Sequence, residues 1–139
     1  MPPAAPPGRL LGVQPRIHLS IEPLELKLKH PFTISRSSST LRYNWLVRAK
    51  WGDLEGRGEA SYTPRYQQEA RVVHKALERA VLELDRQERS PANLRERIPA
   101  LELPSGARMG LSIALADLEA QAAGVPLHAL FDLPPPPPV

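Results

Sequence analysis

The sequence of 139 residues contains no cysteine. Disulfides are therefore excluded, and so are thiolate nucleophiles and thiolate metal ligands. No apolar run approaches the roughly 20 residues that a membrane-spanning helix needs. The N-terminal stretch MPPAAPPGRLLGVQP also lacks the basic region and the sustained apolar region of a secretory signal. These absences favour a cytoplasmic protein with no membrane partner.

A strong charge of one sign is lacking as well. The 18 basic residues face 15 acidic ones, the net charge is +3, and no dense basic block appears. Nucleic-acid-binding surfaces need clustered cations, so that class of protein is disfavoured. The hydrophobic share of 42% and the charged share of 24% are typical of one globular domain with an ordinary core.

Proline, by contrast, is abundant, and it concentrates at the two ends of the chain. Five of the 17 prolines lie in the first fifteen residues, which predicts a disordered leader over residues 1–16. Five consecutive prolines, Pro134–Pro138, precede the final valine. Because proline has a fixed φ and no backbone N–H, residues 134–139 are predicted to form a stiff polyproline II spacer. Residues 17–133 remain for the folded domain.

The first part of this domain shows the alternation of β-strands. In IHLSIEPLELKLK, three leucines alternate with three charged residues, which predicts a half-buried strand: Leu24, Leu26 and Leu28 against Glu25, Lys27 and Lys29. Gly52-Asp53 is a turn-forming pair and predicts a hairpin between two further strands. The serine-rich stretch from His30 to Thr40 is too long for a tight turn and is predicted to be a mobile loop.

From Gln67 onward the apolar residues follow a helical period. Their spacings of three and four predict an amphipathic helix that buries Val73, Ala76, Leu77, Ala80, Val81 and Leu84. Ser90 and Pro91 predict the N-cap and first turn of a short second helix. A third helix is predicted from an N-cap at Ser105 to Gly124, with small residues that admit a close neighbour. Strands followed by helices give an α+β fold, namely a three-stranded antiparallel meander followed by a helical bundle.

The residues themselves offer no self-contained active site. The four histidines are scattered and have no zinc-ligand spacing. Asp117 and Glu119 are two residues apart on a helix and point to different sides. Gly56 and Gly58 lack the third glycine and the following helix of a dinucleotide-binding loop, and they are interpreted as strand-end turns.

Three motifs, in order, resemble the N-terminal capping domain of the enolase superfamily: PFTISRSSST, GRGEASYTPRY and ALADLEAQAAGVPLHALF. The resemblance covers roughly Ile17 to Leu133. It lies in the branch of mandelate racemase and muconate-lactonizing enzymes, and it is strongest to dipeptide epimerases. It implies a lid over a C-terminal β/α barrel that this chain lacks, with the five prolines as the linker between them. It also implies a homo-oligomer for the full-length enzyme.

In this family the chemistry is removal of a proton next to a carboxylate, with Mg²⁺ stabilising the enediolate and paired lysines acting as acid and base. The resemblance places these groups in the barrel, so no catalytic residue, metal ligand or cofactor site is predicted in this chain. Lys27-Leu28-Lys29 matches the spacing of one family base motif, but the motif lies in the first strand and is interpreted as two solvated lysines. The chain alone is expected to be inactive.

The resemblance implies that two lid loops, residues 30–40 and 61–66, contact a dipeptide or other carboxylate substrate. Phe32 and Ile34 would form an apolar wall, Arg36 would pair with a substrate carboxylate, and Tyr62 would complete the surface. Competing roles are a solvated loop arginine for Arg36 and packing against the helices for Tyr62.

Two alternatives to this function stay open at the level of sequence. One is the lid of a related cycloisomerase or acid-sugar dehydratase. The other is a stand-alone interaction module whose polyproline tail binds an aromatic groove of a partner.

Overall fold

A three-stranded antiparallel sheet forms the first half of the domain. The computed structural model describes residues 15–34, 37–63, 69–85, 87 and 90–139. Strand β1 spans His18–Ile34, β2 spans Ser37–Trp51 and β3 spans Leu54–Ala60, in the spatial order β1-β2-β3. The predicted hairpin is confirmed, because Gly52 and Asp53 form the turn between β2 and β3. Gly52 has a φ of 59°, a conformation that glycine adopts without a Cβ clash.

The predicted mobile loop between the first two strands is wrong over most of its length. Strand pairing continues to Ile34 opposite Ser37, beyond a register shift between Lys27 and Phe32. The shift admits extra residues in β1 and lets the strands realign, as β-bulges do. A hydrogen bond of 2.9 Å between the hydroxyls of Thr33 and Ser38 links the strands near the tip.

Within the part of the chain that the structure describes, four α-helices and one 3-10 turn follow the sheet. They are α1 (Ala70–Asp85), α2 (Pro91–Arg97), the 3-10 turn (Ile98–Ala100), α3 (Ser105–Ala123) and α4 (Leu127–Leu130). Helix α1 buries the predicted apolar face, with Val81 partly exposed at its edge. The predicted cap of α2 is confirmed, since the Ser90 hydroxyl accepts a hydrogen bond from the Asn93 N–H.

Helix α3 begins one residue earlier than its predicted cap implies. Ser105 is the first helical residue and Pro104 occupies the N-cap position. Pro104 has no side-chain oxygen that could accept a capping hydrogen bond. The N-cap preference for serine therefore predicts Ser105 instead. The predicted end is confirmed: Gly124 closes the helix in the left-handed conformation, with a φ of 69°.

The close neighbour predicted for α3 is strand β3. A Cβ added at Gly56 would lie 2.1 Å from the Ala114 carbonyl oxygen, and one added at Gly58 would lie 2.1 Å from that of Gly110. The interpretation of these two glycines as strand-end turns is therefore wrong, since both lie inside β3 and are buried. They are glycine because the helix backbone rests directly on the strand.

The core lies between one face of the sheet and helices α1, α2 and α3. Large side chains that are almost completely buried there include Ile17, Val47, Val73, Leu77, Leu84, Leu94, Ile98, Leu111, Leu115 and Leu118. A sheet followed by helices that cover one face confirms the predicted α+β fold. Among the described helices, none is long and apolar enough to cross a membrane.

The two proline-rich ends are the predicted leader, residues 1–16, and the predicted spacer, residues 134–139. Residues 1–14 of the predicted leader lie outside the described residues. The Pro15 carbonyl accepts a hydrogen bond of 2.8 Å from the Trp51 indole, so described contacts begin before Ile17. Residues 134–139 are exposed and lie in no helix or strand.

Candidate functional site

The two predicted lid loops leave the sheet at the same end. In this antiparallel sheet, β1 ends, β2 begins and β3 ends on one side, which is called the loop end below. Trp45 pairs with Ala60, the last residue of β3, whereas β2 begins eight residues earlier at Ser37. At a rise of about 3.3 Å per residue, the β1–β2 hairpin therefore extends roughly 26 Å beyond β3.

An aromatic cluster holds the segment that follows β3. Tyr62 is partly buried, and its ring meets the ring of Trp45 edge-on, with the centroids 6.2 Å apart. The other neighbour of Trp45 is His74 of α1, which stacks nearly parallel at 5.7 Å. Such edge-on and stacked pairs add to the free energy of burial. The indole thus fixes both Tyr62, at the start of the post-β3 segment, and α1, which follows that segment.

Phe32, a residue of the predicted apolar wall, lies near the end of β1. It is 52% exposed, and the Arg42 guanidinium lies 5.8 Å from the centroid of its ring. Ile34 pairs with Ser37 through the backbone. Arg36, the predicted cation for a substrate carboxylate, lies outside the described residues. Its role stays a prediction.

Phe32 and Tyr62 are not brought together in this chain. Phe32 pairs with Ser39, and Tyr62 contacts Trp45, six residues farther along β2. The separation along the strand is therefore about 20 Å. The two lid segments share one end of the sheet but line different parts of it.

Two exposed residues of the hairpin were missed in the sequence. Leu41 is 38% exposed and Tyr43 is 52% exposed, and both lie on the same face of β2 as Trp45. The period-2 pattern of Leu41, Tyr43, Trp45 and Val47 was the signal that identifies this face. Together with Phe32 these residues form an exposed apolar stripe along β2, on the face that also carries Glu25 and Lys27 of β1.

An ion-pair network lies within the three-stranded part of the sheet. On the face away from the helices, Arg48 pairs with Glu22 and Glu55 at 2.7 Å, and Arg57 pairs with Glu55 at 2.6 Å. Hydrogen bonds from Arg57 and then Arg48 lower the pKa of the Glu55 carboxyl to about 2. The network joins all three strands, so its role is to tie the sheet together.

Asp117 and Glu119 do have different partners, as predicted from their spacing. Asp117 accepts a hydrogen bond of 2.9 Å from the Arg57 N–H of β3, whereas Glu119 pairs with Arg95 of α2 at 2.7 Å. Neither carboxylate faces the loop end.

A shallow groove of about 270 Å³ lies between α2, α3 and α4. Its walls are apolar apart from Ser112 and two arginines, and they include Ile98, Pro99, Ile113, Leu127 and Phe131. Arg95 contributes to the rim and stacks on Phe131 at 5.6 Å. Phe131 is 48% exposed, so the groove presents apolar surface to its surroundings.

The residues of the described ranges do not fit a magnesium site. No group of three or more histidine, aspartate or glutamate side chains lies close enough together there to hold a metal ion. Mg²⁺ needs several oxygen ligands in near-octahedral geometry. The metal that the family resemblance implies therefore has no set of ligands in this part of the chain.

Comparison with known proteins identifies relatives that are much longer than this chain. No protein-family model matches it. It is 32% identical over 117 residues to the L-Ala-D/L-amino acid epimerase of Flavobacterium johnsoniae, covering 82% of this chain and 34% of that protein. It is 28% identical over 126 residues to the L-Ala-D/L-Glu epimerase of Bacteroides thetaiotaomicron, covering 88% of this chain and 32% of that protein.

Solved structures of longer, related chains also match this fold. An enolase family member from Agrobacterium tumefaciens with homology to dipeptide epimerases, solved with sodium and L-Ala-L-Glu, matches with a TM-score of 0.73 at 25% identity, over 86% of this chain and 35% of that one. The dipeptide epimerase of Methylococcus capsulatus, in complex with Mg and L-Arg-D-Lys, matches with a TM-score of 0.71 at 27% identity, over 83% and 34% of the two chains. The chain thus spans about a third of the length of the relatives it matches.

Proposed function

The chain is related to the dipeptide epimerases of the enolase superfamily and has the fold of their capping domain, and from this we propose that it is the specificity lid of such an enzyme. The reaction would be epimerisation: a base removes the proton from the carbon next to a substrate carboxylate, and an acid returns a proton to the opposite face. The groups that do this would belong to the β/α barrel of a longer protein, as would the ligands of Mg²⁺. A cytoplasmic location is part of the same proposal.

One observation carries the lid assignment. Both segments predicted to contact substrate leave the sheet at the loop end, and the β1–β2 hairpin reaches roughly 26 Å beyond β3. A projecting ribbon with exposed Phe32, Leu41 and Tyr43 has the reach and the apolar surface to cover a separate site. Closing such a surface over a substrate excludes water, which strengthens the electrostatic interactions in the site.

Separate roles follow for the lid residues. Phe32 and Ile34 would form the apolar wall of the pocket, and Arg36 would pair with a second carboxylate of an acidic dipeptide. Tyr62 has less freedom to move, because its ring packs on Trp45. Its role in the proposal is therefore to hold the start of the post-β3 segment in place beside the pocket.

The groove between α2, α3 and α4 supports the presence of a further domain. Phe131 of the groove wall is 48% exposed, and Met109 of α3, which does not line the groove, is 57% exposed; apolar surface of this kind commonly marks a contact between domains. Similarity to dipeptide epimerases also favours that specificity over cycloisomerase or dehydratase lids. The exposure of Pro134–Pro138 suits a linker and a polyproline ligand equally, so it does not favour the stand-alone module.

The test is complementation of the missing part. We would co-express this chain with the portion of the Flavobacterium johnsoniae epimerase that it does not cover, purify the complex, and supply L-Ala-L-Glu and Mg²⁺ in D₂O. Exchange of the α-proton for deuterium, followed by NMR, is expected for the complex and for neither component alone. A Phe32→Ala variant should lower the rate, whereas Val72→Ala, a comparably exposed apolar residue on α1, should not.

The proposal would be refuted by a stable complex that shows no exchange. It would be refuted equally by a barrel portion that is fully active without this chain. If Phe32→Ala and Val72→Ala change the exchange rate equally, the complex forms but the hairpin does not line the substrate pocket.

A further inference from the structure

The free edge of strand β1 differs from the free edge of β3. At the β3 edge, α3 covers the outward backbone groups, since Asp117 accepts from the Arg57 N–H and the Gln121 side chain donates to the Glu55 carbonyl. At the β1 edge, one outward group is covered in the same way: the Leu19 N–H donates to Asp85 of α1 at 3.1 Å. Among the described residues, no side chain covers the outward groups of Glu25 or Lys27.

The direction of these groups follows from the pairing pattern. In an antiparallel ladder, alternate residues turn both their N–H and their C=O away from the neighbouring strand. Leu19 turns its N–H away from β2, and the register runs without a shift from His18 to Lys27. The outward residues of β1 are therefore odd-numbered and include Glu25 and Lys27. Pro23 also falls in this set, where the missing N–H costs no bond to β2.

The part of the β1 edge that contains Glu25 and Lys27 lies beyond the level where β3 ends. Pro23 pairs with Trp45 at the level of Ala60, the last residue of β3, and beyond this level the strands described in the hairpin are β1 and β2. Two-stranded ribbons are marginally stable in water, and three or more strands are needed for independent stability. A long edge with unpaired backbone groups is also a template for another strand.

The sequence of the edge is self-complementary in one register. If two copies of β1 pair antiparallel about Leu26, Glu25 lies opposite Lys27 of the second copy and Lys27 lies opposite its Glu25. On the other face the two Leu26 residues lie side by side, and Leu24 lies opposite Leu28 of the second copy, the residue at which the register shift of β1 begins. Registers centred on Glu25 or on Lys27 instead place identical charges opposite each other, which is unfavourable.

We propose that the β1 edge is a homodimer interface, with a second copy of this chain pairing antiparallel about Leu26 to form one continuous six-stranded sheet. Glu25 and Lys27 exchange backbone hydrogen bonds in both symmetry-related pairs, because their N–H and C=O groups point outward. The half-buried leucines of the two copies form one apolar strip on the face away from the helices. This isologous contact closes on itself, as twofold interfaces do. It does not depend on the proposed lid function.

Disulfide trapping tests the register directly, because the chain has no cysteine of its own. The two Leu26 residues would form a non-hydrogen-bonded pair with Cα atoms about 4.5 Å apart, within the range that a disulfide spans. Leu26→Cys is therefore expected to give a covalent dimer under mild oxidation. Leu24→Cys is the matched control: two copies of residue 24 lie roughly 13 Å apart in this register, so little covalent dimer should form.

Charge reversal tests the same interface without a covalent bond. Glu25→Lys should raise the dimer dissociation constant about tenfold, because two attractive cross-strand pairs become repulsive. Adding Lys27→Glu should restore it, since the pairs are then attractive again with the signs exchanged. Lys75→Glu is the control: it changes the charge as Lys27→Glu does, but on the exposed face of α1 and away from the β1 edge. It should leave the dimer dissociation constant unchanged. Sedimentation equilibrium measures all four proteins, and circular dichroism checks that each is folded.

Three results would overturn the proposal. They are a wild-type chain that stays monomeric at high concentration, covalent dimers that form as readily through residue 24 as through residue 26, and a folded double variant that associates no better than Glu25→Lys. None of these results bears on whether the complemented enzyme is active.

Discussion

Replacing Gly58 by alanine should destabilise the domain, although alanine is usually better tolerated than glycine. The added Cβ would lie 2.1 Å from the Gly110 carbonyl oxygen and 2.8 Å from the Ala114 backbone nitrogen, whereas ordinary contact begins near 3.4 Å. Helix α3 must therefore move about 1 Å away from β3. A gap of this size forfeits a quarter to a half of the dispersion energy of each contact that opens.

The opposing effects can be compared in magnitude. Overpacking of a core costs roughly 1–3 kcal/mol, and the upper end applies here because the obstacle is backbone and cannot rotate away. The gain from reduced entropy of the unfolded chain is only about 0.4–1 kcal/mol. The net loss in the free energy of unfolding should be about 2 kcal/mol. For a chain of this size that lowers Tm by roughly 6–8 °C.

Urea and thermal unfolding of the full chain, followed by circular dichroism, measure this loss. Gly124→Ala is the comparison, because nothing lies within 4 Å of its added Cβ and only its φ of 69° is unfavourable. That strain costs about 1–2 kcal/mol, with no movement of α3. A Gly58→Ala protein within 0.5 kcal/mol of wild type would refute the argument that β3 and α3 are in backbone contact.

A double-mutant cycle separates this clash from general damage. At Gly110 the nearest obstacle to a Cβ is a side-chain atom, the Cβ of Ala60 at 2.7 Å. Gly110→Ala should therefore cost less in an Ala60→Gly background, with a coupling free energy of about 1 kcal/mol. Gly58→Ala should show no such relief from Ala60→Gly, since it meets the carbonyl of residue 110.

Three further outcomes are expected. In the longer enzyme, Arg36→Ala should reduce kcat/KM for acidic dipeptides by about 1.5–3 kcal/mol in transition-state free energy; equal losses on neutral dipeptides would remove Arg36 from the specificity role. Because the pKa of Glu55 is lowered from 4.5 to about 2 in the folded chain, the stability it contributes is complete above pH 4.5 and is lost as the pH falls toward 2. Glu55→Gln should therefore reduce the loss of unfolding free energy with falling pH between about pH 4.5 and 2, as measured by urea unfolding at a series of pH values. An unchanged pH dependence would contradict this. The isolated chain should bind a hydrophobic dye through its exposed apolar residues, with less binding in a Met109→Ser/Phe131→Ser variant; equal fluorescence in both would place the dye elsewhere.

Local signals made the helices predictable. The spacing of Val73, Leu77 and Leu84 identifies the buried face of α1, because each position depends only on neighbours within the same helix. Ser90 caps α2 through a hydrogen bond to a residue three positions away. Such features need no knowledge of the rest of the chain, and the structure confirms them.

Features that depend on a distant part of the chain were not recovered. Gly56 and Gly58 were interpreted as turn residues because a strand glycine has no local marker for a helix that packs on it 50 or so residues later. The signal was present on both partners: glycines two apart on β3, and Gly106, Gly110 and Ala114 four apart on α3. Each stripe of small residues has a meaning only once the two are paired.

The sequence also predicts a loop where β1 and β2 form a long hairpin, because the pairing partner of a strand is not visible in its own residues. This dependence on contacts also matters for the candidate site. A run of serines after Pro31 has low strand propensity, which favours a loop when the strand is considered alone. Pairing supplies what propensity lacks, since each residue of β2 from Ser37 to Lys50 has a partner on β1 or lies opposite the register shift. Yet within the described residues β3 pairs with this ribbon only as far as Trp45, and few side chains of the ribbon are covered beyond that level, so its order depends on what it contacts. A lid needs one face of the ribbon for the substrate pocket, and the exposed apolar stripe of Phe32, Leu41 and Tyr43 suits that use. The free edge of β1 remains available to a second copy, whose added strands would hold the ribbon in place from its side.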